Sequence, residues 1–295
     1  MSNMIDIDFD SLTKPNLWSY IALAGYGVMI RKAKEEREKV KEEERKILEY
    51  KILEYIIKKA GLPTKEISQI LENTRQAFLS CAYELRSVKI KAISRGLIGT
   101  AETFGEIPFE VGLYFDPILN VPYIPGSTIK GAVRSGVFDL LLKQKASKKE
   151  ANRECGRLFG DDKSAGLIGF TDAYPIEKGE KGYLLYPDVM SPHYKSDTAT
   201  ELDVSPTPII YLTIAPGTKF QFYLFYKKER GGGERKRRLI IKDSQESDLA
   251  ETPVQDINKL GILDRGLLYS FYRGVGAKTA VGYSRFEIVS YEPVR

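Results

Sequence analysis

P-I-I-Y-L-T-I-A-P-G-T-K-F-Q-F-Y-L-F-Y, Pro208 to Tyr226, holds two runs of β-branched and aromatic residues on either side of Ala215-Pro216-Gly217. Proline presets one turn dihedral and glycine tolerates the left-handed one, so the segment predicts two strands, Pro208–Ile214 and Lys219–Tyr226, closed as a hairpin. Downstream, Leu267, Leu268 and Phe271 share one side of a predicted helix over Asp264–Tyr272, and Val281–Val289 reads as a closing strand. Upstream, Gly166–Phe170 reads as a short strand. P-G-S-T-I-K-G-A-V-R-S-G-V-F-D-L-L-L reads as a helix capped by Ser127 or Thr128, and alternation from Val88 to Ile93 gives a first strand. Strand, helix, hairpin, helix, strand is the order of a ferredoxin-like (RRM-like) βαββαβ unit, here an α+β domain with long insertions.

Before Arg86 the pattern is helical. An apolar stretch from Asn16 leads into a Lys/Glu-dense run, Arg31 to Lys46, with acid-to-base pairs Glu35–Lys39 and Glu42–Lys46 one turn apart. Its charges largely cancel, which marks a solvated helix face rather than a nucleic-acid patch. Ile47, Leu48, Ile52, Tyr55 and Ile56 continue at helical spacing. Gly61 and Pro63 end that helix, and another is expected from Thr64 to about Leu85. The division expected is therefore an α-helical extension over 1–86 and the α+β domain over 87–295.

The chain has 295 residues, 42% hydrophobic and 29% charged, with a net charge of +5. That balance describes a soluble globular protein, and the mild charge leaves any nucleic-acid contact to local clusters. Two distant cysteines, Cys81 and Cys155, and one histidine, His193, exclude a Cys- or His-based metal site, so no metal or cofactor is expected. The apolar run Trp18–Ile30 is too short to span a bilayer, and the residues before it are acidic. The expectation is a cytoplasmic protein with no membrane partner.

Three clusters bear on function. The first is R-G-V-G-A-K-T-A-V-G-Y-S-R-F, Arg273 to Phe286, where glycines permit close backbone approach and Arg273, Lys278 and Arg285 supply charge. Ala277 stands where a phosphate-binding P-loop needs glycine. Thr279 stands where the dinucleotide fingerprint needs its third glycine, and the helix precedes the loop instead of following it. A mononucleotide site is thereby disfavoured. A plain tight turn and a backbone-binding loop account for the segment equally well. The second is the helix start near Ser127, with Lys130 and Arg134 one turn apart beside an apolar face. Taken alone it reads as a capped surface helix. The third is K-K-E-R-G-G-G-E-R-K-R-R, Lys227 to Arg238, either a phosphate-contacting loop or a solvated one.

Catalytic readings are weaker. His193 sits in a Pro-rich loop beside Tyr194 and Lys195, and no second histidine is present to act as its acid. Asp161–Asp162 reads as a polar turn, and Ser191 lacks a nucleophile-elbow context.

Together, V-P-Y-I-P-G-S-T-I-K-G-A-V-R, R-L-F-G-D-D-K-S-A-G-L-I-G-F-T-D-A and G-V-G-A-K-T-A-V-G-Y-S-R-F resemble the signature of the RAMP superfamily of CRISPR proteins. The helix start matches at Pro125, Gly126, Ser127, Lys130, Gly131 and Arg134, and the strand segment at Phe159, Gly160, Gly166, Asp172 and Ala173. P-D-V-M-S-P-H-Y and the Pro208 segment point more narrowly to subunits of type III-B (Cmr) effector complexes. The likeness runs from about Arg86 onward.

It implies a ferredoxin-like domain that holds CRISPR guide RNA against target RNA, among other Cmr subunits (backbone RAMP and small helical ones). In such a domain Ser127, Lys130, Arg134, Arg273, Gly274, Gly276, Lys278 and Thr279 would line the RNA, and the N-terminal helices would contact a neighbouring subunit. RNA-cutting backbone members carry an aspartate where this chain offers Glu106 and Glu110 before Asp116. The resemblance therefore implies a subunit that binds without cutting; the alternative is a metal-independent endoribonuclease using His193.

Overall fold

A computed structural model describes residues 16–38, 42–190, 208–227 and 261–294, without side chains for 31–45, 103, 107 and 227. Ser191, His193, Tyr194, Lys195, the Lys227–Arg238 cluster beyond its first residue, and the Glu35–Lys39 pair lie outside what it describes.

Three helices come first: α1 (Leu17–Glu38), α2 (Glu42–Lys59) and α3 (Thr64–Ser80). The third stops short of Leu85 because β1 (Tyr83–Ala92) already claims those residues. Then follow α4 (Thr103–Phe109), β2 (Phe115–Asp116), β3 (Val121–Pro122), α5 (Gly126–Lys143), α6 (Lys148–Phe159), β4 (Ile168–Phe170) and β5 (Tyr174–Glu177). The chain closes with β6 (Leu185–Met190), β7 (Ile209–Ile214), β8 (Lys219–Lys227), α7 (Ile262–Arg273) and β9 (Phe286–Val294). The fold is mixed α and β with antiparallel sheets.

The central sheet has the order β4-β8-β1-β9, with β5 also paired to β8. Every pairing in it is antiparallel. Alternation along β1 and β8 sends Val88, Ile90, Phe220 and Phe222 to one face, where all are buried. Phe222 and Phe286 both pack on Phe271 of α7, each with ring centroids 6.0 Å away. Each such buried phenylalanine contributes about 1.5–3 kcal/mol of burial. On the opposite face α3 covers one end of the sheet, its Phe78 lying on Phe225 at 4.1 Å.

The predicted hairpin is corrected by the structure. Ile209–Ile214 and Lys219–Lys227 are both strands, but they belong to different sheets. β7 pairs with β6 in a two-stranded sheet of its own, and its end bridges Gly96. The reason is saturation of hydrogen-bonding edges: β8 is bounded by β1 on one side and by β4 and β5 on the other. The Pro-Gly turn survives, with Gly217 at φ 82° and its amide donating to Ala92.

The final strand starts five residues later than predicted. Gly282 (φ 95°) and Ser284 (φ 56°) adopt left-handed backbone, which no strand continues through. The early helices share one hydrophobic core with the sheet: Leu17, Ile52 and Ile67 belong to the same buried cluster as Val88 and Phe222.

α5 and α7 pack closely on each other through glycines. A Cβ on Gly136 would stand 2.2 Å from Ser270 Oγ, and one on Gly266 would stand 2.3 Å from Val137 Cγ2. At the start of α7, buried Asp264 accepts hydrogen bonds from Tyr291 Oη (2.9 Å) and the Gly261 amide (3.2 Å). Burial raises its carboxyl pKa above the ordinary value, against the opposing pull of Tyr291 and Arg86. The folded state therefore holds this proton to higher pH than the unfolded chain, so the contribution to stability is complete below about pH 4 and lost as pH rises through the raised value. Wild type minus Asp264→Asn, compared by thermal melts, should show a difference in melting temperature that shrinks as pH rises above about 4. A difference independent of pH would contradict the assignment.

Candidate nucleic-acid interface

The start of α5 is capped differently from the sequence expectation. Neither Ser127 nor Thr128 caps it. The helix begins at Gly126, whose amide donates to Asp172 Oδ1 at 2.7 Å. Asp172 is held there by paired backbone bonds between Ile124 and Ala173. Its carboxylate takes the place a phosphate oxygen would occupy at the first amide, while the Ser127 amide makes no hydrogen bond among the described residues. Ser127 is exposed and Lys130 half-buried, and the Lys130 side chain has no ion pair or hydrogen bond among them. Arg134 is different: its guanidinium donates to the Gly160 carbonyl at 2.7 Å, tying α5 to the end of α6.

The glycine loop turns back from α7 onto the segment after β1. Val275 donates to Ser284, Ala277 to Leu97 and Ser284 to Arg95. Ser284 Oγ also accepts from the Leu97 amide at 2.8 Å. Gly274 (φ 113°) and Gly276 (φ 135°) occupy backbone regions that side chains resist. Lys278 (φ 55°) starts a short 3-10 turn over Thr279–Val281. The amides of Gly276, Lys278, Thr279 and Ala280 make no hydrogen bond among the described residues.

α5 and the loop meet across a cleft of about 220 Å³ lined by Ser135, Gly136 and Asp139 on one side and Ser270, Gly274 and Thr279 on the other. Arg273 lies at its edge, 2.6 Å from Asp139 and above the Tyr269 ring. Arg134 faces a second hollow, shared with Gly131 and Cys155. Seven of the eight residues singled out by sequence fall into three settings; the eighth, Gly276, lies in the loop at φ 135° but does not line the cleft. Gly274 and Thr279 line the α5–loop cleft with Arg273, and Ser127 and Lys130 stand free further up α5. Arg134 and Lys278 send their side chains to protein partners.

For Lys278 those partners are Tyr211 Oη at 3.4 Å, the Met190 sulfur and the Tyr211 ring, 5.0 Å to its centroid. Burial, with the hydrogen bond to Tyr283, pushes the Tyr211 phenol pKa well up, and burial with the bond to Asp188 raises that of Tyr283. Both phenols are therefore neutral and able to donate. Sequence reasoning placed Asp172 in the family signature without foreseeing its bond to Gly126, and gave Asp188 and Tyr211 no role, since none of the three stands in a motif that signals its partner. Asp161 behaves as the turn expected of it, accepting from the Lys163 and Ser164 amides. Asp116 likewise holds the β2–β3 turn through the Ile118 and Leu119 amides and accepts from Tyr174. Among the described residues no cluster of His, Cys, Asp or Glu could hold a metal ion, and no helix is long and apolar enough to cross a membrane.

The central antiparallel sheet is backed by α5 and α7, and the glycine-rich loop lies across a cleft from α5. The chain belongs to the RAMP superfamily, whose family model matches residues 89–287. It is 32% identical over 283 residues to the CRISPR system CMR subunit Cmr6 of Saccharolobus solfataricus, covering 95% of this chain and 85% of that protein. Cmr6 of Pyrococcus furiosus is 25% identical over 254 residues, covering 67% of this chain and 66% of the relative. Among solved structures, a chain of the type III-B Cmr-beta complex bound to cognate target RNA superposes with a TM-score of 0.72. That pair is 29% identical, over 95% of this chain and 93% of the other. The resemblance to type III-B subunits is borne out.

Proposed function

We propose that this chain is a non-catalytic, guide-RNA-binding subunit of a type III-B CRISPR effector ribonucleoprotein. It would work in the cytoplasm beside target RNA and other Cmr subunits in antiviral defence. The observation that carries the reading is the run of backbone amides at Gly276, Lys278, Thr279 and Ala280 that make no hydrogen bond among the described residues, in a loop whose Thr279 lines the cleft against α5. Backbone amides recognise phosphate without reading bases, as a subunit that must accept any guide sequence requires. The similarity to Cmr6 proteins and to a chain of a target-bound Cmr-beta complex supports it. The strand order β4-β8-β1-β9, that is second, third, first and fourth of a βαββαβ unit, supports the ferredoxin-like reading of the domain.

Within that site Lys130 is the side chain best placed to add charge, since Arg134 and Arg273 already hold protein partners. Lys130→Glu should weaken binding of single-stranded RNA about tenfold and reduce the slope of log K against log salt by about 0.7 for the one lost contact. The melting temperature should not move. Fluorescence anisotropy across a salt series reads both quantities; unchanged affinity and slope would remove Lys130 from the interface.

A further inference from the structure

Lys278 is the only basic side chain in the segment Gly274–Ser284, yet its ammonium does not stand free beside the loop's amides. It reaches into the second sheet, 3.4 Å from Tyr211 Oη and against Met190, with the Tyr211 and Tyr283 rings at 5.0 and 5.7 Å. Behind it a polar chain continues. Tyr211 Oη lies 3.1 Å from Tyr283 Oη, Tyr283 donates to Asp188 Oδ2 at 2.5 Å, and Arg95 donates to Asp188 Oδ1 at 2.5 Å. Asp188 is 8% exposed and Tyr211 fully buried. The cluster joins β6, β7, the residues after β1, and the loop itself.

The loop's backbone needs such support. Lys278 and Ser284 are non-glycine residues at φ 55° and 56°, conformations that persist only where the surroundings over-determine them. Ser284 is pinned by Leu97 through both its amide-facing and carbonyl-facing hydrogen bonds. Lys278 is pinned by the tyrosines. Moving its ammonium to a phosphate would forfeit two ring contacts and the hydrogen bond to Tyr211, leaving Tyr211 only its contact with Tyr283.

Building on the assignment of this loop to RNA, we infer that Lys278 is the loop's tether and not one of its phosphate contacts. Asp188, Tyr211 and Tyr283 are positioning residues: through Lys278 they hold the amides of residues 276–280 in the bound geometry before RNA arrives. A loop ordered in advance spares the complex the cost of ordering it on binding.

The test uses the full chain, a fluorescein-labelled single-stranded RNA, and the variants Lys278→Met and Tyr211→Phe. Both should weaken binding, by about tenfold for Lys278→Met, with the salt slope of wild type retained because no phosphate contact is lost. In the free protein both should also speed hydrogen exchange of the loop amides while exchange in the β1–β8 ladder stays as in wild type. A slope reduced by Lys278→Met, with Tyr211→Phe binding normally, would make Lys278 a direct contact and overturn the proposal. Unchanged loop exchange in both variants would overturn it as well, whatever RNA does. Failure of wild type to bind RNA, with loop exchange responding as expected, would instead refute the loop's RNA role and leave the tether standing.

Discussion

Gly126→Ala is expected to destabilise the protein by about 2–3 kcal/mol, although alanine is the better helix former by about 1 kcal/mol. The added Cβ would lie 2.3 Å from the Phe170 carbonyl oxygen and 2.9 Å from the Thr171 carbonyl carbon, both backbone atoms that cannot swing away. The helix start would have to lift off β4, and lifting it breaks the 2.7 Å bond to Asp172. Sterics therefore outweigh propensity here. Gly131, five residues on in the same helix, has nothing within 4 Å of the position its Cβ would take. There propensity acts alone, and Gly131→Ala should stabilise by about 0.5–1 kcal/mol. Denaturant unfolding of the two variants reads the opposite signs directly; two changes of the same sign would mean that α5 is not seated on β4 as described.

The second large effect concerns the RNA contact proposed for the glycine loop. At φ 135°, Gly276 adopts a conformation that L side chains rarely enter, and a Cβ would stand 2.6 Å from the Leu97 carbonyl oxygen and 2.8 Å from Ile98 Cγ1. Gly276→Ala should displace the loop and lose two or so charge-assisted hydrogen bonds to phosphate, lowering affinity about a hundredfold. The sheet and its aromatic core lie away from the change, so the cooperative melt should persist. Gly282→Ala is the matched comparison: its φ is also positive, at 95°, but no atom lies within 4 Å of its Cβ. It should cost RNA affinity far less. Equal losses in the two variants would show that backbone strain alone, without the displacement caused at Leu97, explains the effect.

How much of this was legible from sequence depended on how far each interaction reaches along the chain. α7 was visible because Leu267 and Phe271 repeat at helical spacing within one element, and the structure places it over Ile262–Arg273. Both halves of the Pro208–Tyr226 segment were visible as strands by composition. Their pairing was not, because it depends on which edges of β8 are vacant, and those edges are filled by residues from β1, β4 and β5 far earlier in the chain. The loop was visible through its glycines, each of which has a local backbone reason. Its supports were hidden: Asp188 and Tyr211 look like ordinary strand residues until the fold sets them under Lys278. The cap of α5 was misread for the same reason. Ser127 satisfies the local rule, but a carboxylate from beyond β4 reaches the amide first.

The β6–β7 sheet enters and leaves the core at one rung. Glu177 ends β5 and Lys219 begins β8, and the two are cross-strand partners joined by a 2.7 Å ion pair. A segment whose ends already touch can be lengthened, shortened or exchanged at a cost that grows only with the logarithm of its length. Leu184, Leu185, Tyr211, Leu212 and Ile214 of this segment are buried in the shared core, so an exchange that keeps them spares the core while altering the tether at Lys278. A graft at this rung would retune the support of the glycine loop from outside, leaving every residue of that loop and of the central sheet as it stands.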